Sequence, residues 1–143
     1  MRTEGKNGNV TVNPENIPEA LLKYLRVYAQ GIAEAVDELT AETTNQLKKQ
    51  IKADSPKRTG AYRRGWVSKT ISEKRGNKTM LIYNRKRGLP HLLEDGHKFN
   101  HFDKFIEPDG HIKGQPHIYG NVDQLKEKFL KKVEEIIQNG GKT

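Results

Sequence analysis

Cysteine is absent from this 143-residue chain, and so are long apolar runs. Without thiols there is no disulfide framework, no cysteine nucleophile and none of the usual zinc-finger ligand sets. No segment approaches the roughly 20 apolar residues that span a membrane, and residues 1–16 contain no apolar signal core. These absences predict a soluble protein that is made in a cytoplasm, is not exported by a cleaved signal and has no membrane partner.

Hydrophobic residues are scarce as well, at 33% of the chain against 31% charged residues. This balance predicts one compact domain with a lean core. The net charge is +8, and its excess lies in residues 57–87, where eleven lysines and arginines accompany one acidic residue, Glu73. This basic block, residues 57–87, predicts either a solvated β-ribbon or an electropositive patch that faces an acidic protein or nucleic acid. Charge alone does not identify the partner.

The first half of the chain is dominated by apolar residues at helical spacing, which predict a helix over residues 18–53. Asn16 is expected to cap this helix, with Glu19 reaching back to it, and Pro56 is expected to end it. The helix would be roughly 50 Å long. Its apolar stripe therefore packs either entirely on the protein's own sheet or partly against another subunit.

The middle of the chain predicts an antiparallel hairpin with strands over residues 62–73 and 78–84. A short helical turn over residues 89–95 is expected to end at Gly96. Beyond it, residues 98–113 lack periodicity and predict an irregular loop.

A short edge strand is expected over residues 115–119, and an amphipathic helix capped by Asn121 is expected to run to residue 138. Residues 1–15 are interpreted as a flexible arm and residues 140–143 as a flexible tail. Residues 16–139 then form a single α+β domain with a long N-terminal helix, a small antiparallel sheet, an irregular loop region and a C-terminal helix.

The histidines are the first candidates for chemistry, because all five lie within residues 91–117. His91, Glu94 and His97 bring three possible metal ligands close together, so a metal-dependent hydrolase is one alternative. A metalloprotease, however, needs histidines one helical turn apart with a positioned glutamate, and that spacing is absent. No phosphate-binding loop or nucleophile elbow is present either. The sequence therefore predicts no catalytic residue, no metal site and no cofactor.

Nucleic-acid binding is the stronger alternative function. Basic residues of the hairpin alternate with Tyr62, Trp66 and Tyr83. In this interpretation the basic residues hold phosphates and the aromatic rings stack on single-stranded bases. The opposing interpretation places Trp66 and Tyr83 in the core against the long helix, since tryptophan is mostly buried.

Three motifs in a fixed order carry a family resemblance. SPKRTGAYRRGW (residues 55–66) contains a P-x-x-T-G element, LLEDGH (92–97) follows a strand that ends in asparagine, and QPHI (115–118) precedes the last helix. Over residues 19–138 this set resembles the small minor structural proteins of long-tailed bacteriophages typified by gene product ten of a lambdoid phage. The chain departs from that pattern where LPH (89–91) replaces the usual Tyr-Ala.

The resemblance implies a non-enzymatic virion assembly protein at the head–tail junction, in a neck or tail-completion role. It implies a homo-oligomeric ring that joins the capsid connector to the tail, although an isolated subunit can be monomeric. The expected locations are the virion and, during assembly, the bacterial host cytoplasm. The expected neighbours are phage connector and tail proteins, with DNA nearby.

The motifs also suggest roles for individual residues. Arg58, Arg63 and Arg64 are expected to pair with carboxylates on a neighbouring copy, first Glu94 and then Asp95, in a head-to-tail contact. His97 belongs to the same expected interface. The motif residues with an expected structural role, rather than a role in partner contact, are Pro56, Thr59, Gly60, Gly96, Pro116 and His117.

Overall fold

The computed structural model describes residues 2–4, 10–13, 15, 18–98 and 111–141. Its helices are α1 (Glu19–Asp54), α2 (Ala61–Arg64), α3 (Leu89–Asp95) and α4 (Tyr119–Gln138). Its strands pair antiparallel as β1 (Arg2–Glu4) with β2 (Val10–Val12), β3 (Trp66–Lys74) with β4 (Asn77–Asn84), and β5 (Gly96–Lys98) with β6 (His111–Lys113). The predicted α+β architecture is confirmed.

Helix α1 runs without a break and ends one residue beyond its predicted limit. Ser55 adopts an extended conformation and donates its hydroxyl hydrogen to the carbonyl of Ile51 at 2.5 Å. Pro56 then follows, and the residue before a proline disfavours helical angles. The expected Asn16 cap lies outside the described residues.

The β3–β4 hairpin begins later than predicted, because Ala61–Arg64 form a helical turn and the strand starts at Trp66. Its tip lies against α1, where the Asp37 carboxylate accepts hydrogen bonds from the backbone amides of Gly76 and Lys78 at 2.9 and 3.2 Å. Helix α1 therefore holds the hairpin at its turn.

Helix α4 packs antiparallel to α1. Near its start, the side-chain amide of Asn121 donates to Asp54 at 2.8 Å, and near its end the carbonyl of Ile137 accepts from the Tyr28 hydroxyl at 2.8 Å. Two apolar clusters lie along α1. One is formed by Ala35, Leu39 and Ile136, and the other by Ile51, Tyr62 and Trp66.

Two sequence predictions near α4 are wrong. Residues 115–119 form no edge strand; the short strand lies earlier, at His111–Lys113, and α4 already begins at Tyr119. Asn121 is therefore inside the first turn, and its side chain does not cap the helix. A carboxylate from elsewhere in the chain satisfies the helix start instead, which removes the need for a local capping residue.

Short β-ladders occur within the predicted N-terminal arm and at the two ends of the predicted irregular loop. Within residues 1–15, Arg2–Glu4 pair with Val10–Val12, where β-branched side chains favour extended backbone. The predicted loop over residues 98–113 closes with the β5–β6 pair. Residues 99–110, which include its phenylalanines, lie outside the described residues.

Candidate functional site

The start of α4 is capped by a buried carboxylate, that of Glu94 at the end of α3. This residue is 3% exposed. Its Oε2 accepts from the backbone amides of His117 and Ile118 at 2.7 and 3.0 Å, and its Oε1 accepts from that of Tyr119 at 2.9 Å. The first amides of a helix have no intrahelical partner and carry partial positive charge, so a carboxylate is well suited to this position.

The surroundings of Glu94 keep it ionised. Burial on its own would raise the pKa of the carboxyl group. The amide hydrogen bonds from Tyr119, His117 and Ile118, together with the attraction of the His117 side chain in its protonated form, outweigh burial and hold the pKa below its usual value. Glu94 is therefore a charged group in the protein core, stabilised by backbone amides.

His117 links Glu94 to Tyr62. Its Nδ1 lies 2.7 Å from the carbonyl of Gln115 and 3.1 Å from Glu94 Oε2, and its Nε2 lies 2.8 Å from the Tyr62 hydroxyl. Because a carbonyl oxygen only accepts, we assign the proton to Nδ1, and Nε2 then accepts from Tyr62. Burial, reinforced by the negative charge of Glu94, raises the pKa of Tyr62 to about 12.

Further hydrogen bonds connect this cluster to the hinge between α1 and the hairpin. The Trp66 indole N–H donates to the Ser55 hydroxyl at 2.9 Å. Asn84, at the end of β4, donates its amide to the carbonyl of Tyr62 at 2.8 Å and accepts from the Lys86 amide at 2.8 Å. We name the group of Tyr62, Glu94 and His117 the capping site. The three sequence motifs converge on it.

Thr59, Gly60, Gly96 and Pro116 are further motif residues with an expected structural role. The Thr59 hydroxyl accepts from the Ala61 amide at 3.3 Å, and Gly60 follows with φ 75°. Gly96 has φ 77°, and its α-carbon faces the backbone of Ile112 and Gly114, where a side chain would collide. Pro116 is exposed.

The residues expected at a subunit interface do not all reach the surface. Arg58, Arg64 and Asp95 are exposed, while Arg63 and His97 are half-buried. Glu94 departs from the expectation, since it is buried and both of its oxygens accept hydrogen bonds within the chain. It is not presented to a neighbouring copy. The two adjacent acids point opposite ways, and the sequence alone does not show which one faces the core.

The histidines form no metal site among the described residues, where no group of three histidines and acids has suitable geometry. His91 is exposed, and the carboxylate of Glu94 is bound by amides. His101 lies outside the described residues.

The N-terminal part of α1 extends past α4. Gly31 packs against Gly141 just beyond the end of α4, and the preceding turns of α1 carry large apolar side chains that are 38–66% exposed. We name this segment the α1 overhang; its exposed apolar residues are Leu21, Tyr24, Leu25 and Val27. Among the described residues, no helix packs against this apolar surface.

An apolar groove of about 630 Å³ opens between the C-terminal half of α1, the hairpin and the start of α4. Its apolar walls include Leu47, Ile51, Met80, Ile82, Ile118 and Val122. The α1 overhang and this apolar groove lie on opposite halves of the same long helix.

One end of the molecule is strongly basic. The turn after β4 contacts the α2 turn, since the Arg85 amide donates to the Gly65 carbonyl at 2.9 Å. We name the exposed cations of these two turns and of the segment before α2 the basic end: Lys57, Arg58, Arg64, Arg85, Lys86 and Arg87. Within the described residues none of them is in an ion pair.

None of the helices in the part of the chain that the structure describes is long and apolar enough to cross a bilayer. The protein is a small α+β structural module. The capping site stabilises it internally, and the α1 overhang and the basic end are its distinctive exposed surfaces.

Comparison of the chain with known protein families identifies the family to which this structural module belongs. Residues 19–96, more than half of the chain, match the family described as "Bacteriophage HK97-gp10, putative tail-component", and the chain belongs to that family. The match runs from the start of α1 to the glycine after α3 and so includes Glu94. The resemblance drawn from the motifs is confirmed, and the protein is a bacteriophage structural protein of the virion. No curated protein and no solved structure gives a significant match to the chain.

Proposed function

We propose that the protein is a non-enzymatic assembly component that forms a ring at the head–tail junction, where it joins the capsid connector to the tail. Membership of a phage tail-component family supports a structural role beside other virion proteins. In this proposal the subunit is made in the host cytoplasm and is incorporated into the virion there. The single observation that carries the proposal is the α1 overhang.

The overhang continues an apolar stripe that is already used for packing. Ile32, Ala35 and Leu39 of α1 pack in one apolar cluster with residues of α4. At the same helical spacing, Leu21 and Leu25 extend this stripe beyond the end of α4, whereas Tyr28 still contacts α4 at Ile137. About nine residues, or roughly 14 Å of helix, thus expose an apolar face that a second molecule can bury.

The apolar groove is the surface on a second copy that fits the overhang. It has apolar walls and lies about 20 residues further along α1 than the overhang, which is on the order of 30 Å of helix. A contact between two different surfaces is heterologous, and repeated heterologous contacts close into a ring when the rotation between copies allows it. The overhang of each copy would lie in the groove of the next.

The capping site supports a structural rather than a catalytic role. The side chain of His117 is fully enclosed, and Tyr62 is buried with its pKa raised to about 12, which keeps the hydroxyl neutral. The carboxylate of Glu94 is saturated by backbone amides. These groups stabilise the junction between α3 and α4.

Charge pairing between copies remains a prediction in a revised form. Because Glu94 is buried, Asp95 is the exposed carboxylate of the motif that can meet Arg58, Arg63 or Arg64 of a neighbour. Such a pair would lie at the rim of the contact and set its orientation, since exposed ion pairs contribute only about 0–1 kcal/mol.

Light scattering over a range of protein concentrations tests the ring. The wild-type protein should self-associate, whereas Leu25→Glu in the overhang and Met80→Glu in the groove should each stay monomeric. Leu130→Glu is the control, because Leu130 is an exposed leucine of α4 that lies outside both surfaces. It should behave like the wild type.

Mixing the two variants distinguishes a heterologous contact from a symmetric one. Leu25→Glu retains an intact groove and Met80→Glu retains an intact overhang, so the mixture should form a one-to-one heterodimer and no larger species. For a subunit that assembles only on its partners, a phage that carries Leu25→Glu should accumulate separate heads and tails by electron microscopy. Normally joined particles from that phage would contradict the proposal.

A further inference from the structure

We propose that the basic end binds the phosphate backbone of duplex DNA. This inference goes beyond ring formation and does not depend on it. It is drawn from the charges that folding brings together, the lack of ion pairs to them within the described residues and the burial of two neighbouring aromatic rings.

Folding joins two basic turns that are about 20 residues apart in sequence. Asn84 bridges them, because its side chain donates to the carbonyl of Tyr62 and accepts from the amide of Lys86, both at 2.8 Å. The Arg85 amide adds a bond to Gly65 at 2.9 Å. Asn84 is only 4% exposed, so the two turns are held together from inside. Arg64 is thereby brought close to Arg85, Lys86 and Arg87, and Lys57 and Arg58 lie just before the α2 turn in the chain.

The basic end lacks ion-pair partners in the part of the chain that the structure describes. Within the described residues the lysine and arginine ion pairs belong to Arg75 and Lys78, which lie at the opposite tip of the hairpin. Glu73, the one acidic residue in the basic block, is at that tip too. Glu94, a member of the capping site, is buried. Asp54, three residues before Lys57, is exposed, but among the described residues it is in no ion pair. The basic end therefore presents unpaired positive charge, which attracts a polyanion.

Two of the three aromatic residues in the stacking alternative are buried, and the third, Tyr83, is 40% exposed with the Lys69 ammonium over its ring, which favours backbone contact over base stacking. Trp66 and Tyr62 are 4% and 8% exposed and pack edge-to-face with each other, so they cannot stack on single-stranded bases. Arginines, which supply four of the six cations, donate in a fork that suits phosphate oxygens. Duplex DNA carries one negative charge per about 1.7 Å of helix axis, a density that matches a cluster of cations.

A carboxylate surface on a second copy fits these six cations less well. Asp95 is the exposed acid of the motif, and one carboxylate balances one cation. A polyphosphate backbone can engage all six. Six phosphate contacts would make the affinity fall by about 10³-fold or more between 50 and 200 mM salt.

The test is fluorescence anisotropy of a short labelled duplex titrated with the protein across this salt range. Binding should be independent of base sequence, with a dissociation constant of about 10⁻⁴–10⁻⁶ M at physiological salt. Two triple variants to glutamine should each weaken it and make the salt dependence shallower by up to about 0.9 per lost contact. One variant replaces Arg85, Lys86 and Arg87, and the other replaces Lys57, Arg58 and Arg64.

The matched control replaces Lys126, Lys128 and Lys131, three exposed lysines of α4, by glutamine. It removes the same charge from a different face and should leave DNA affinity nearly unchanged. An equal loss in the control, or no binding of duplex at 50 mM salt, would overturn the proposal. Equal competition by poly-glutamate would also overturn it and assign the basic end to an acidic protein. Leu25→Glu should bind DNA normally, which separates this result from failure of the ring.

Discussion

Glu94 and His117 are in direct contact in the core, with Glu94 Oε2 2.7 Å from the backbone nitrogen of His117 and 3.1 Å from its Nδ1. The contact joins the end of α3 to the start of α4 across 23 residues of sequence. In a chain with few apolar residues, such a polar connection fixes the position of α4, and with it the boundary at which the α1 overhang begins.

Replacing Glu94 by glutamine should destabilise the fold by about 1–3 kcal/mol, because one of the two oxygens that accept from the α4 amides is lost along with the charge. Urea unfolding followed by circular dichroism at neutral pH measures the change. The neighbouring Asp95→Asn variant is the control, since Asp95 is exposed and should change stability little.

The same variant should alter the acid limb of the stability profile. The pKa of Glu94 is lower in the folded protein than its usual 4.5, so the folded state binds this proton more weakly than the unfolded state. Its contribution is fully present above pH 4.5 and is lost as the pH falls through the folded pKa. The free energy of unfolding of Glu94→Gln should fall less steeply below pH 4.5. An unchanged acid limb would contradict the assignment.

Tyr62→Phe should remove the hydroxyl that donates to His117 Nε2 and leave a buried imidazole nitrogen without its partner. We expect a loss of about 1–3 kcal/mol in the free energy of unfolding. Tyr83→Phe, at a tyrosine that is 40% exposed, should cost much less. Similar losses for both variants would argue against a special role for the Tyr62 hydroxyl.

Tyr62 should also contribute to alkaline unfolding. Its pKa is raised from 10.0 to about 12, so the folded state holds the phenolic proton more tightly than the unfolded state. The resulting stability is complete below pH 10 and is lost between pH 10 and about pH 12. In Tyr62→Phe this part of the alkaline decline should be absent, as measured by urea unfolding at stepwise pH.

The hairpin turn gives a local prediction. Asp37→Ala should remove the acceptor for the amides of Gly76 and Lys78 and cost about 1 kcal/mol, because the site is partly exposed to water. Amide hydrogen exchange should accelerate at those two residues while the amides of α4 stay protected. Glu38→Ala, at the next and exposed position of α1, should leave the turn unchanged.

The sequence predicts the elements with strong local signals and misses those set by distant contacts. The limits of α1 are right to within one residue, because Pro56 and the apolar period act locally. The predicted start of α4 is wrong, because the group that caps this helix is Glu94, which is distant in sequence. Burial of Trp66 was open from the sequence and is decided by tertiary packing.

The candidate surfaces show the same division. The positive charge of residues 57–87 is visible in the sequence. The contact between the α2 turn and the turn after β4, however, depends on the buried Asn84. The length of α1 leaves open whether its stripe packs entirely on the protein's own sheet or partly against another subunit. Which of the adjacent acids Glu94 and Asp95 faces outward cannot be read from the sequence, since the amides that hold Glu94 in the core lie more than 20 residues away.

Gly96 offers the sharpest test of the region around the capping site, because Gly88 provides a matched control. Both have positive φ, 77° for Gly96 and 82° for Gly88. A side chain at Gly88 would meet open space, so Gly88→Ala should cost only the backbone strain of about 1–2 kcal/mol. Gly96 also has ψ 174°, in a region almost restricted to glycine, and an added methyl group would collide with the backbone of Ile112 and Gly114.

Gly96→Ala should therefore lose at least about 3 kcal/mol, well beyond its control, and its thermal midpoint should fall in parallel. The collision would push β5 and β6 apart and disturb Glu94, which lies two residues before Gly96. Amide exchange at Tyr119 should accelerate in this variant and also in Glu94→Gln, because both changes release the start of α4. Equal costs for the two glycine variants would show that the close β5–β6 approach does not hold the carboxylate in place.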